Sequence, residues 1–281
     1  MPTSDDQRFP FGTPLRPTAP ARPRRAAAAF VLGVHSGAVH ARWIGPDGRE
    51  RCRALPVAPE PVSFWRGEGA SETISALSAS VPPAMGRLEP ADAPNDGAMG
   101  RALDDYVLGP LGLAREDCFV TDLHDEYLLA PSNRRALARY ERDRAAERSV
   151  PPVALPVRPR VVRAGPEALE RLRRELEESR ATLVVTLGNE PAEALLGTRA
   201  GRLEPSRYGE IETAEIFGRR VSLLRLCHPR HPARLGSLSP SWELAHGRWI
   251  RHVEKRGGLA GIRPGADLRA PPLGAMALRA T

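Results

Sequence analysis

Four short apolar runs in this chain each stop at a group that can do chemistry. AAFVLGV ends at His35, and DCFVTDL carries Asp122 and ends at His124. ATLVVTLGN ends at Gly188 and Asn189, and RVSLLRLCHP ends at His228. Imidazoles change protonation near neutral pH and order water or donate hydrogen bonds, whereas an ionised carboxylate only accepts them. In an open parallel α/β sheet, ligands bind at the carboxyl ends of the strands. One architecture would therefore gather all four ends at one pocket, and the chain reads as an enzyme.

The elements that must position these groups follow from periodicity. A first strand is predicted over 28–34, with 35–48 as a loop turning at GPDG. Residues 50–95 are Pro-rich and irregular, apart from a short helix over 70–78. Asn95 and Asp96 cap a helix over 98–112 with Leu103, Val107 and Leu111 on one face, ended by Gly112. A strand over 118–123 and a polar helix over 133–147 come next, then the linker VPPVALPVRPR. Pro166 opens a helix through Ser179, followed by a strand over 182–187 and a helix beginning at Glu190. ETAEIFGRRVSLLRLCH reads as a hairpin turning at Gly218 whose second arm is the fourth core strand. A final helix spans 239–255, with Trp242, Leu244, Trp249 and Val253 as core contacts. Alternating strands and helices imply a three-layer α/β/α sandwich around a four-stranded, mainly parallel central sheet. The domain spans 27–256. Residues 1–26 read as a disordered basic, Pro-rich leader and 257–281 as a flexible tail.

The 281 residues hold 41 Lys and Arg against 34 Asp and Glu, a net charge of +7. That excess suits a polyanionic partner such as nucleic acid, although an arginine- and alanine-rich chain from a GC-rich genome would show it too. Cys52, Cys118 and Cys227 are widely spaced, which argues against a zinc site, an iron–sulfur cluster or a disulfide framework and fits a reducing cytoplasm. No apolar stretch is long enough to span a bilayer.

The stretch Gly97–Leu123, GAMGRALDDYVLGPLGLAREDCFVTDL, resembles a signature of the uracil-DNA glycosylase superfamily. Pro131-Ser132-Asn133-Arg134 resembles the loop that follows it there. LVVTLGNEPAEALL resembles the third strand and its helix, and Leu226-Cys227-His228-Pro229 the His-Pro motif after the fourth strand. The resemblance covers about 30–255. It departs from the pattern in four places. His35 stands where the family has the acid or amide that places water, and Asp122 stands for the asparagine ending the second strand. Asn95 aligns with the aromatic that stacks on the base, and the cluster cysteines are absent.

The resemblance implies a monomeric, monofunctional DNA glycosylase without metal or cofactor, acting on DNA in the cytoplasm and extruding its target base. His228 would donate to the departing base as negative charge builds there. His35 would order water, with Asp125 as an alternative. Asp122 would read the base. A carboxylate repels the O4 of uracil and accepts from the exocyclic amine of cytosine, so the target would be a non-uracil base such as a modified cytosine in viral DNA. Gly33, Ser36, Asn133 and Asn189 would line the base site, although Asn133 also reads as a helix N-cap. Arg230, His231 and Arg234 would meet DNA phosphates, and Leu235 or Leu238 would fill the gap the base leaves. His40 reads as structural, and Trp43, Phe64 and Trp65 as core residues. Two rivals remain at this stage: a catalytically inactive nucleic-acid-binding relative, and a small-molecule hydrolase, for which no Gly-x-Ser-x-Gly elbow or phosphate loop appears.

Overall fold

The computed structural model describes residues 7–92, 95–147, 149–235 and 239–261. In chain order its strands are β1 (Ala29–His35), β2 (Ala38–Ile44), β3 (Glu50–Pro59), β4 (Arg87–Pro90), β5 (Cys118–His124), β6 (Leu183–Leu187), β7 (Ile211–Ile216) and β8 (Arg219–Leu226). The α-helices are α1 (Ala70–Ser78), α2 (Ala98–Leu103), α3 (Gly109–Leu111), α4 (Arg134–Arg144), α5 (Pro166–Ser179), α6 (Asn189–Leu196) and α7 (Pro240–Glu254). The chain forms two compact units. One comprises residues up to Pro20, His35–Arg101 and His124–Val162; the other comprises Ala21–Val34, Ala102–Leu123 and the chain from Arg163 onward.

The second unit holds a sheet of five strands in the order β5-β1-β6-β8-β7. β1, β6 and β8 pair in parallel, with Phe30 beside Val184 and Val184 beside Leu223. Ala28 N–H donates to Asp117 O at the start of β1 and β5 (2.8 Å), and Ser36 N–H to His124 O just past their ends (3.1 Å). These two bonds make β5 run the same way as β1. The expected sheet of four strands is corrected to five: β7 joins the edge antiparallel to β8. The hairpin turns at Phe217 and Gly218, both with positive φ (50° and 75°), the geometry that suits a two-residue hairpin loop. Every residue of β6 is buried, as a continuous apolar run in a parallel sheet requires. α5 has the predicted bounds, starts at Pro166 and buries Leu172 and Leu176.

The predicted helix over 98–112 is interrupted by a π-turn at Asp104–Leu108 between α2 and α3. Leu103, Val107 and Leu111 are all buried, and Gly112 ends it at φ 70°. In α7, Trp249 and Val253 are buried as expected, but Leu244 is 55% exposed and is not a core contact.

The first unit departs most from expectation. The segment read as loop and irregular chain folds into a three-stranded antiparallel sheet ordered β3-β2-β4, accompanied by α1 at the predicted residues. Its core gathers Trp43, Leu55, Ile74, Met85 and Tyr140. The Trp43 indole N–H donates to Met85 O at 2.7 Å, so burial leaves no polar orphan there. The leader read as disordered is packed from Gln7 onward. Phe9 and Leu15 belong to this core, and Phe11 N–H donates to the Tyr140 hydroxyl at 2.9 Å. The presumed linker also engages: Ala154 bridges to Arg8 and Val157 to Leu129. Trp65 and Phe64 are buried as core residues.

The Gly-x-x-Gly spacing at the start of α2 has a steric cause. A Cβ on Gly97 would lie 2.0 Å from the Arg66 carbonyl carbon, and one on Gly100 would lie 2.2 Å from Phe64 O. Helix start and neighbouring backbone touch directly, and neither can yield. Gly100→Ala is therefore expected to cost about 1–3 kcal/mol through overpacking. The denaturant midpoint would fall accordingly, whereas an unchanged midpoint would refute this packing.

Candidate active site

In the second unit, the parallel order places the ends of β5, β1, β6 and β8 side by side. Gly33 and Asp122 lie buried near the ends of β1 and β5. Gly188 follows β6, its N–H donating to Leu226 O at 2.8 Å, and His228 stands two residues beyond β8. The predicted residues Gly33, Asp122, Asn189 and His228 thus occupy neighbouring strand ends.

Their side chains have different fates. His228 is half-buried, and its Nδ1 accepts from the Arg230 N–H at 3.3 Å. A neutral ring held this way carries its proton on Nε2, so it presents a donor. Asp122 is only 1% exposed, unusual for a carboxylate. Its strand end is clamped by Arg171 of α5, which donates to Asp122 O (2.8 Å) and Leu123 O (3.1 Å) while paired with Glu175. Asn189 is committed locally: its side-chain oxygen accepts from Leu203 N–H at 2.8 Å. It anchors the loop after α6.

Behind His228 lies a directed network with no signal in the residue pattern. His246 of α7 sits 2.7 Å from Tyr106 O through Nε2. A carbonyl only accepts, so Nε2 donates and Nδ1 accepts from the Tyr208 hydroxyl. The hydroxyl oxygen in turn accepts from Cys227 N–H at 3.1 Å. This chain fixes the peptide immediately before His228. Burial pushes the Cys227 thiol up to about 11 and Tyr208 well above its ordinary value, so both stay protonated. Cys227 is then an inert packing group.

The loop after His228 carries less free charge than its sequence implies. Arg234 pairs with Glu243, and burial together with the Arg230 charge lowers the pKa of His231. Arg230 is exposed. Leu235 is half-buried, and Leu238 lies outside the described residues.

In the first unit, His35 Nδ1 lies 3.0 Å from Ser36 O. Here too the carbonyl forces Nδ1 to donate. Ser36 is buried and its hydroxyl donates to Asp125 O at 3.0 Å, so Ser36 ties two loops together. Asn133 precedes α4 but makes no capping bond; its amide donates to the Tyr127 hydroxyl at 2.8 Å and faces His40 Nε2 at 3.5 Å. Asp96 is not a cap either: its Oδ1 accepts from His40 N–H at 2.7 Å. Half-buried His40 and buried Asp96 therefore form a titratable pair, with the side chains 3.8 Å apart; His40 is held as a structural residue, as read from sequence, whereas Asp96 serves it and does not cap α2. Burial lowers His40 to about 4 and raises Asp96 to about 6, the latter opposed by the His40 N–H and by Arg101.

Neither family models nor curated proteins give a match to this chain. No helix among the described residues is long and apolar enough to cross a membrane.

The pair has opposing pH signatures. Between pH 6.5 and about 4 the unfolded chain protonates His40 before the fold does, so acidification destabilises the fold. Asp96 is protonated below about 6 in the fold but only below 3.8 when unfolded, so acidification over that window stabilises it. Asp96→Asn removes the second contribution alone. Its thermal midpoint should drop more steeply than wild type between pH 6.5 and 4, and parallel curves would contradict the burial that raises Asp96.

Proposed function

We propose that this chain is a DNA glycosylase that extrudes a non-uracil base, in the first instance a modified cytosine, and hydrolyses its N-glycosidic bond. The observation that carries the reading is His228, a ring fixed by backbone as an Nε2–H donor beyond the end of a buried parallel strand. On a three-layer α/β/α scaffold that position faces substrate. As the bond to the sugar breaks, negative charge collects on the departing base. A positioned donor stabilises it without reorganising, worth about 10²–10³ in rate. Asp122 accepts from the exocyclic amine of a cytosine-type base. Its burial means that the base edge must enter the protein to be read, which suits an extruded base. Arg230 contacts phosphate. The protein acts as a monomer in the cytoplasm, and neither metal nor cofactor takes part.

A second reading, a nucleic-acid-binding relative without catalysis, draws on the commitments of Asn189 to Leu203 and of Arg234 to Glu243, which take two expected contacts out of play.

Release of free base from oligonucleotides carrying modified cytosine, cytosine or uracil separates these readings. The glycosylase reading expects release from modified cytosine, reduced about 10²–10³-fold in His228→Ala and shifted towards uracil in Asp122→Asn. Release from uracil alone would overturn the specificity, and DNA binding with no release would favour the inactive relative.

A further inference from the structure

α7 bears two features that the strand-end site does not use. The first is a groove of about 490 Å³ lined by Tyr106, Pro232, Leu244, Gly247, Ile250 and Arg251, among others. Leu244 stands 55% exposed at its edge, and Gly247 leaves the helix surface open there. The π-turn at Asp104–Leu108 carries Tyr106, whose carbonyl is held by His246. The second feature is a row of cations. Arg248, Arg251 and Lys255 lie at i, i+3 and i+7, so they share one side of the helix, and none forms an ion pair among the described residues. The carboxylates of α7 are Glu243, taken by Arg234, and Glu254. Arg251 belongs to both the groove and the row.

We infer that this face of α7 is a second contact surface for single-stranded nucleic acid, taking an unstacked base in the groove and the adjoining phosphates along the cationic row. It rests on the nucleic-acid partner proposed above. Tyr106, with Pro232 and Pro240 beside it in the groove, offers an aromatic face of the kind on which any base stacks, and an adjacent cation row tracks a backbone; single-strand sites combine these two elements. Duplex DNA keeps its bases stacked and would use the row alone.

The test uses the full chain and fluorescence anisotropy of a labelled oligothymidylate over a series of salt concentrations. Circular dichroism establishes that each variant folds. The triple variant Arg248→Ala, Arg251→Ala, Lys255→Ala should flatten the log–log salt slope by about 2, from three lost phosphate contacts at about 0.7 each. Tyr106→Ala and the solvent-side Leu244→Asp should each weaken single-strand binding about tenfold while leaving duplex binding unchanged. Wild-type affinity and slope in the α7 variants would overturn the inference. So would oligoglutamate competing as well as oligothymidylate, which would make the row a peptide site. If the α7 variants bind as wild type while the chain still releases base, the inference fails and the glycosylase reading stands. If wild type shows no salt-dependent DNA binding, both fail.

Discussion

Hydrogen bonding between β1, β6 and β8 forces three distant stretches of chain into one direction and one register. Phe30, Val184 and Leu223 become lateral neighbours, and since these strands are buried, a slip of one residue would invert their faces. Fixed register also fixes where each strand stops. Parallel strands cannot be joined by tight turns, so each chain leaves the sheet at the same edge and the residues just past the strands collect there. The placement of Gly33, Gly188 and His228 follows from this pairing, and that of Asp122 from β5 lying beside β1.

Backbone groups then determine what the histidines can do. His228 meets an N–H and His35 meets a carbonyl, so one ring accepts at Nδ1 and the other donates there. The difference comes from local backbone geometry. Tyr208 and His246 extend the same logic inward by holding the peptide ahead of His228. Arg171 does so at β5, where strand-end carbonyls would otherwise lack donors.

Much of the second unit was legible in the sequence because its signals are local. Pro166 and the leucine spacing set α5, Gly218 set the hairpin, and continuous apolar runs set β5, β6 and β8. The first unit was not legible in the same way. β2 does alternate Val39, Ala41 and Trp43 with His40 and Arg42, a strand signal, but it is short and its pairing with β3 is bulged at several places. β3 contains Pro56 and Pro59, which read as breakers; they are tolerated because β3 is an edge strand. Phe9 and Leu15 are isolated apolar residues in a Pro-rich leader, and only tertiary packing reveals their burial. Among site residues, strand-end position could be read but side-chain commitment could not. Asn189, Ser36 and Arg234 look available in one dimension and are occupied in three. Asp96 and Tyr208 carry no sequence signal of their partners, His40 and His246, which are 56 and 38 residues away.

The proposed chemistry turns on the hydrogen-bonding state of His228. Nitrogen-15 NMR of histidine-labelled protein, with His228 assigned by comparison with His228→Gln, reads the tautomer directly. Donation to the departing base requires a neutral ring protonated at Nε2, with an unprotonated Nδ1 that accepts a hydrogen bond. A ring protonated at Nδ1 would present a lone pair to the departing base and would contradict the mechanism proposed here.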